Sequence, residues 1–214
     1  MSIRILVADD HQLMREGLHA LLDSQSDMMV VDEACNGRDV VAKAARLTPD
    51  IVLMDIGMPE LNGIDATRQI GELAKPPRII ALSMHADRQF VQGVLRAGAT
   101  GYLLKDSAFE ELADAVRRVA DGQVYLSPAI AGVVVESLQS DSGNGLSHDT
   151  LTAREREVLQ LMSEGHSTKE IARQLHISVK TVETHRRQVM RKLDIFSVAE
   201  LTKYAIRNGL TKLE

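Results

Sequence analysis

A chain of 214 residues with a formal net charge of -5, 44% hydrophobic residues and a single cysteine is long enough for one large domain or two small ones, built on buried cores without covalent staples. Cys35 alone excludes an intrachain disulfide framework and a cysteine-rich zinc site, fits a reducing compartment, and is expected as a buried structural thiol. No apolar run approaches the roughly 20 residues of a membrane span, and Met1-Ser2-Ile3-Arg4 lacks a signal peptide's charged and apolar regions, so the expectation is a soluble, cytoplasmic protein with no membrane partner.

From the start, strand-like apolar runs alternate with helix-period segments: 3–7 then 11–23, 28–33 then 38–47, 51–54 then 64–73, 78–82 then 88–97, and 101–104 then 108–120. Such units predict an α/β fold, a doubly wound five-stranded parallel sheet with helices on both faces, over residues 1–122. Ser107 with Glu110 reads as a capping box at the last helix of this part. Past Gly122 the pattern weakens. Ser127-Pro128 opens a short helical stretch to residue 138, and residues 139–145 are polar, glycine-containing and aperiodic, which predicts a linker over 123–147 carrying one short helix. From residue 148 to 214 strand signals cease, and Thr152 with Glu155, Ser167 with Glu170 and Ser197 with Glu200 mark helix starts of a small all-helical domain. The charge divides in the same way. Residues 1–150 hold 13 basic and 22 acidic side chains, net -9, and residues 151–214 hold 12 and 8, net +4. Only the second part is suited to a polyanion.

The third apolar run, 51–54, ends in Asp55, and turn chemistry (Gly57, Pro59, Asn62-Gly63) follows at once. In a parallel sheet that places Asp55 on the carboxyl rim, where ligands bind. Asp9 and Asp10 end the first strand at the same rim, Ser83 ends the fourth and Lys105 the fifth. Clustered carboxylates repel unless their pKa values rise or a cation neutralises them, and an all-oxygen set suits Mg²⁺. Carboxylate, metal, hydroxyl and ammonium together suit a phosphoryl group arriving on Asp55. His11 is expected to start the first helix and line this rim, with Met54, Met58 and Met84 as packing residues.

With these residues in place, 1–122 resembles the receiver domain of two-component response regulators. The resemblance implies a flavodoxin-like fold with Asp55 as phosphoacceptor, Asp10, Asp55 and the Gly57 carbonyl on Mg²⁺, Asp9 assisting through water, and Ser83 and Lys105 on the phosphoryl oxygens. It also makes Tyr102 an aromatic switch that swings inward when Ser83 engages phosphate. Many receivers follow the lysine with a cis proline; here Asp106 follows Lys105.

In the helical part, Val158, Leu159 and Met162 form one apolar stripe and Gly165 stops the helix. Ser167 caps the next, where Ile171, Ala172 and Leu175 face inward. His176-Ile177-Ser178 then turns into a helix with Val182, Val189 and Leu193 inside, which makes a helix-turn-helix. Lys180, Glu183, Thr184, Arg187 and Arg191 recur on the opposite face, flanked by Thr181, Arg186 and Lys192, and offer both charge for phosphates and groups able to read bases. His185 either faces phosphate or packs inward. Leu151-Thr152, Arg154-Glu155, Glu157-Val158-Leu159, Ile171-Ala172 and Thr181-Val182 with His185 resemble the LuxR-type helix-turn-helix, and the two domains in this order resemble the NarL/FixJ response regulators. That implies a last helix pairing DNA-bound domains, here through Val198, Leu201, Thr202 and Ala205.

The resemblance implies a non-enzymatic transcription factor whose own chemistry is self-phosphorylation and self-dephosphorylation. Its expected partners are a sensor histidine kinase, double-stranded DNA, RNA polymerase and, on activation, a second copy of the chain. Two other classes remain open on the residues: a Mg²⁺-dependent phosphatase using Asp55 as nucleophile, for which no second general acid or cap is evident, and a receiver with a protein- or RNA-binding output. The charge split further suggests that the acidic receiver holds the basic recognition helix against itself at rest.

Overall fold

The computed structural model describes residues 2–84, 86–106, 108–140 and 150–212. Ser107 of the expected capping box and residues 141–147 of the expected linker lie outside them.

The first domain is a parallel sheet of β1 (Ile3–Ala8), β2 (Met28–Ala34), β3 (Ile51–Asp55), β4 (Arg78–Ser83), β5 (Gly101–Leu104) and β6 (Tyr125–Leu126), in the order β2-β1-β3-β4-β5-β6. Along the inner strands, side chains alternate between two apolar layers, as a strand period of two requires. Leu6, Ala8, Val52, Met54, Ile79, Ala81 and Tyr102 face one layer, built with α2 (Gly37–Leu47), α3 (Gly63–Gly71) and α4 (Arg88–Arg96). Ile5, Val7, Ile51, Leu53, Ile80, Leu82 and Leu103 face the other, built with α1 (Gln12–Asp23) and α5 (Ala108–Ala120). Because β3 is buried on both faces, truncating Leu53 to Ala is expected to cost about 2–5 kcal/mol.

The sheet has six strands, not five. β6 pairs in parallel with β5, and α6 (Pro128–Ser140) packs on α4, with Ile130 buried in the first layer and Val133 and Val134 against it. Residues 125–134 therefore complete the first domain, where the sequence suggested a linker. Two residues of strand carry too short a pattern to read, and the apolar face of α6 is recognisable only once α4 is there to receive it.

The second domain comprises α7 (Ala153–Ser163), α8 (Thr168–Gln174), α9 (Val179–Leu193) and α10 (Val198–Arg207) around Val158, Leu159, Leu161, Ile171, Leu175, Val182, Val189, Leu201 and Ala205. Thr152 and Ser167 form complete capping boxes with Glu155 and Glu170. Ser197 makes no side-chain cap, so the third expected box is absent. Gly165, at φ +86°, ends α7 in the left-handed conformation that glycine adopts without steric cost.

Candidate phosphoacceptor site and nucleic-acid interface

Strand order reverses between β1 and β3, which opens a crevice beyond their carboxyl ends. Asp9 and Asp10 follow β1 and Asp55 ends β3, so topology alone brings the three carboxylates to one place. Lys105 Nζ lies 2.6 Å from Asp9 Oδ2 and 3.1 Å from Asp55 Oδ1, and all four groups are mostly or wholly buried. The Gly57 N–H donates to Asp55 Oδ1 at 3.3 Å. Gly63 lets the loop close on the site, since a Cβ there would stand 2.1 Å from the Asp55 carbonyl oxygen.

The electrostatics follow from that packing. Burial, with Asp9 adding to it, pushes the Asp55 carboxyl up to about 6 against the opposing pull of Lys105 and the Gly57 N–H. Burial also pushes Asp10 upward, but the hydrogen bond and charge of Lys212, with His11, hold it below the usual carboxylate range. Lys105 is held above its ordinary value despite its burial because Asp55 and Asp9 face it.

Asp9, Asp10, Asp55 and His11 each offer a ligand atom within 4.8 Å of the others, and Asp10 Oδ1 is buried without a hydrogen-bond partner among the described residues. An orphaned anionic lone pair in such a cluster fits a hard divalent cation. His11 precedes α1 without a side-chain cap, and its Nδ1 lies 3.1 Å from Asp10 and 3.3 Å from Asp9. Ser83 is buried beside the site, and Tyr102, fully enclosed, hydrogen-bonds to it; burial pushes the tyrosine hydroxyl to about 12. Tyr102 thus already lies inward in this structure. Met54 and Met58 pack inside, but Met84 is 63% exposed on the rim. Cys35 is exposed too, contrary to expectation, because it follows β2 in the turn leading to the Asn36 cap of α2.

In the helical domain, Lys180, Glu183, Arg187 and Arg191 are exposed along α9, Thr184 is half-buried, and Thr181 bonds to the Ser178 cap. Arg186 reaches Thr168 at 3.4 Å. Lys192 is occupied: its Nζ is 2.7 Å from the carboxylate of Glu155, itself 3% exposed, so it ties α9 to α7. His185 turns inward, leaving Nδ1 buried. Of the expected pairing stripe, Leu201 and Ala205 are sealed in their own domain's core, while Val198 and Thr202 stay at the surface.

The two domains are docked, and not through the recognition helix. Gln160 of α7, fully buried, donates to the Met58 carbonyl at 3.0 Å and accepts from the Asn62 N–H at 2.9 Å. Arg156 pairs with Asp65 at 2.8 Å, Arg38 with Glu157 at 2.9 Å, and Gln89 with Asn208 at 2.6 Å. Among the described residues every interdomain hydrogen bond and ion pair comes from α7, α10 or the residues just beyond, and none from α9, which corrects the expectation of a masked recognition helix. The docking side chains gave little sequence signal. In the structure α7 is buried on a second side as well, where Glu157 and Gln160 meet the receiver, which no apolar period announces.

Two family models match the chain in the order of its domains: the response regulator receiver domain over residues 5–117, and the luxR family of bacterial regulatory proteins over residues 149–205. The chain belongs to the NarL/FixJ family of response regulators. The regulator is 42% identical over 208 residues to the transcriptional regulatory protein LiaR of Bacillus subtilis (strain 168), covering 97% of this chain and 99% of that one. Among solved structures it is similar to a LuxR-family two-component response regulator from Aurantimonas sp. SI85-9A1, at 34% identity and TM-score 0.62, over 65% of this chain and 100% of that one. It is also similar to the response regulator ChrA of a heme-sensing two-component system, at 33% identity and TM-score 0.54, over 98% of each. The regulator is thus a two-component protein joining a receiver to a DNA-binding domain. No helix among its described residues is long and apolar enough to cross a membrane.

Proposed function

We propose that the regulator accepts a phosphoryl group on Asp55 from the phosphohistidine of a sensor kinase, and that this controls sequence-specific binding of α9 to duplex DNA. The observation that carries the reading is the convergence of Asp55, Asp9, Asp10, Ser83 and Lys105, from four strand ends, on one rim. An Asp55 oxygen attacks phosphorus, the P–N bond breaks, and the departing imidazole keeps the electron pair and takes up a proton. Lys105, already at Asp55, is placed to meet charge on the phosphoryl oxygens, and the Ser83 hydroxyl is the donor beside it. Asp10, Asp55 and the Gly57 carbonyl would hold Mg²⁺, which supplies neutralisation of the incoming oxygens. Water attack on the acyl phosphate reverses the modification, and this self-limited chemistry is the chain's whole catalytic content.

The output follows from α9. Lys180 and Arg191 present cations to phosphates, with Arg187, Glu183 and Thr184 beside them for base edges. Phosphorylated copies pair on two half-sites in the cytoplasm and act on transcription through RNA polymerase.

The test is modification by acetyl phosphate read by intact mass. The wild type is modified with Mg²⁺; Asp55→Asn, and wild type in a chelator, are not. Full modification of either would overturn the assignment of Asp55 or of the metal.

A further inference from the structure

Beyond α10 the chain crosses the mouth of the phosphoacceptor cavity. Leu210 is buried in the helical domain's core, and Gly209, at φ +68°, lies so close to the Phe90 ring of α4 that a Cβ would stand 2.3 Å from it. Two residues further on, Lys212 Nζ reaches Asp10 Oδ2 at 2.5 Å, and its stem passes over Gly57, 3.4 Å from where a Cβ would sit. The cavity beneath, about 360 Å³, is walled on one side by Asp55, Ser83 and Lys105 and on the other by Ile206, Thr211 and Lys212.

We infer that Lys212 is a tethered cation that occupies the metal position at Asp10 while the domains are docked, so that divalent-cation binding and domain docking compete. This rests on the reading of the acidic cluster as a Mg²⁺ site. The charges carry it: Lys105 already spans Asp9 and Asp55, and Lys212 supplies the one lysine or arginine charge paired with Asp10 among the described residues, beside the His11 ring at 3.1 Å. Its ammonium sits on Asp10, one of the groups expected to ligate the ion, and its stem lies beside Gly57, whose carbonyl is another. The tether is short, because only Thr211 separates the buried Leu210 from Lys212, and each residue spans at most about 3.6 Å. Lys212 can therefore hold Asp10 only while α10 rests on α4, and a domain that leaves takes its cation with it. By linkage, whatever binds at Asp10 in place of Lys212 weakens docking by the factor by which docking weakens it.

The experiment is calorimetric titration of MgCl₂ into the full chain, with no phosphoryl donor, alongside Lys212→Met and Lys212→Arg. Lys212→Met is expected to bind Mg²⁺ about two- to fivefold tighter, the scale of one partly exposed ion pair, and Lys212→Arg to stay near wild type. In an Arg156→Ala, Gln160→Ala background, where docking is broken elsewhere, Lys212→Met should change nothing further. Small-angle scattering should show Mg²⁺ alone enlarging the wild type. Equal affinities for wild type and Lys212→Met, or an undiminished difference in the undocked background, overturn the clamp and leave the metal site standing. No Mg²⁺ binding by either protein overturns both.

Discussion

Gln160 and Asn62, 98 residues apart in the chain, are joined by two hydrogen bonds to the same oxygen: Gln160 Oε1 accepts from the Asn62 backbone N–H at 2.9 Å and from Nδ2 at 3.1 Å. Asn62 also caps α3 by accepting from the Asp65 N–H at 2.9 Å, so one residue ends the phosphoacceptor loop, starts the next helix and receives the second domain. The loop it closes carries Glu60 at φ +66°, a left-handed conformation costly for a residue with a Cβ, and the Glu60 N–H points to Glu164 of α7 at 3.3 Å. The helical domain thus grips the backbone immediately after Asp55.

Removing that grip should undock the domains without unfolding them. Gln160→Ala leaves the Met58 carbonyl and the Asn62 N–H unpaired at a buried contact, at about 1–3 kcal/mol per group. The expected result is a larger radius of gyration and faster amide exchange over residues 58–62, with the melting of the helical domain unchanged. An unaltered radius would show that the ion pairs at Asp65 and Glu157 suffice.

The raised Asp55 carboxyl has a consequence for stability. At about 6 when folded against 3.8 ordinarily, it keeps its proton where the unfolded chain has lost it, so stability falls as pH rises through that window and the penalty is complete above it. Asp55→Asn removes the penalty. In chelator the variant should melt higher than wild type at pH 7.5, by an amount equivalent to about 1–3 kcal/mol, with the gain vanishing below pH 4. A gain independent of pH would mean that packing, not ionisation, is responsible.

Three cations near the recognition helix should separate by role. Lys180→Ala is expected to weaken all duplexes alike and to lower the salt slope by about 1, whereas Arg187→Ala should change sequence preference. Lys192→Ala should do neither. It strands the buried Glu155 carboxylate and lowers the domain's stability by about 1–3 kcal/mol. Competition binding at two salt concentrations, with a thermal melt of each variant, distinguishes the three; an altered salt slope in Lys192→Ala would return it to the DNA face.

Because α9 is open while Thr202 and Ile206 of α10 are turned to the receiver, rest should block pairing and not contact. Thr202 and Ile206 line a cavity shared with Gly57, Met58 and Pro59 of the receiver. The isolated fragment 148–214 and the unphosphorylated full chain should therefore bind a single half-site equally, while the fragment binds paired half-sites more tightly. A full chain weaker on the single half-site as well would place the block on α9 after all.

Much of this protein is determined locally and is legible in its sequence. The alternation of strand and helix, the carboxylates at the ends of β1 and β3, Ser83 and Lys105 at the ends of β4 and β5, and the capping boxes at Thr152 and Ser167 depend on neighbours a few residues away, whose periodicity and chemistry a linear reading captures. Tertiary structure decided the rest. Leu201 and Ala205 look the same on a helix whether they face a second copy or their own core, and Lys192 looks like any cation of a basic helix until Glu155 stands 2.7 Å from it. Cys35 and Met84 are placed by how a turn leaves the sheet. Gln160 on Asn62 and Lys212 on Asp10, the latter pair 202 residues apart, arise from the docking of two separately built surfaces. No local period encodes such a contact, because its partner is set by how whole domains pack and not by the chain on either side.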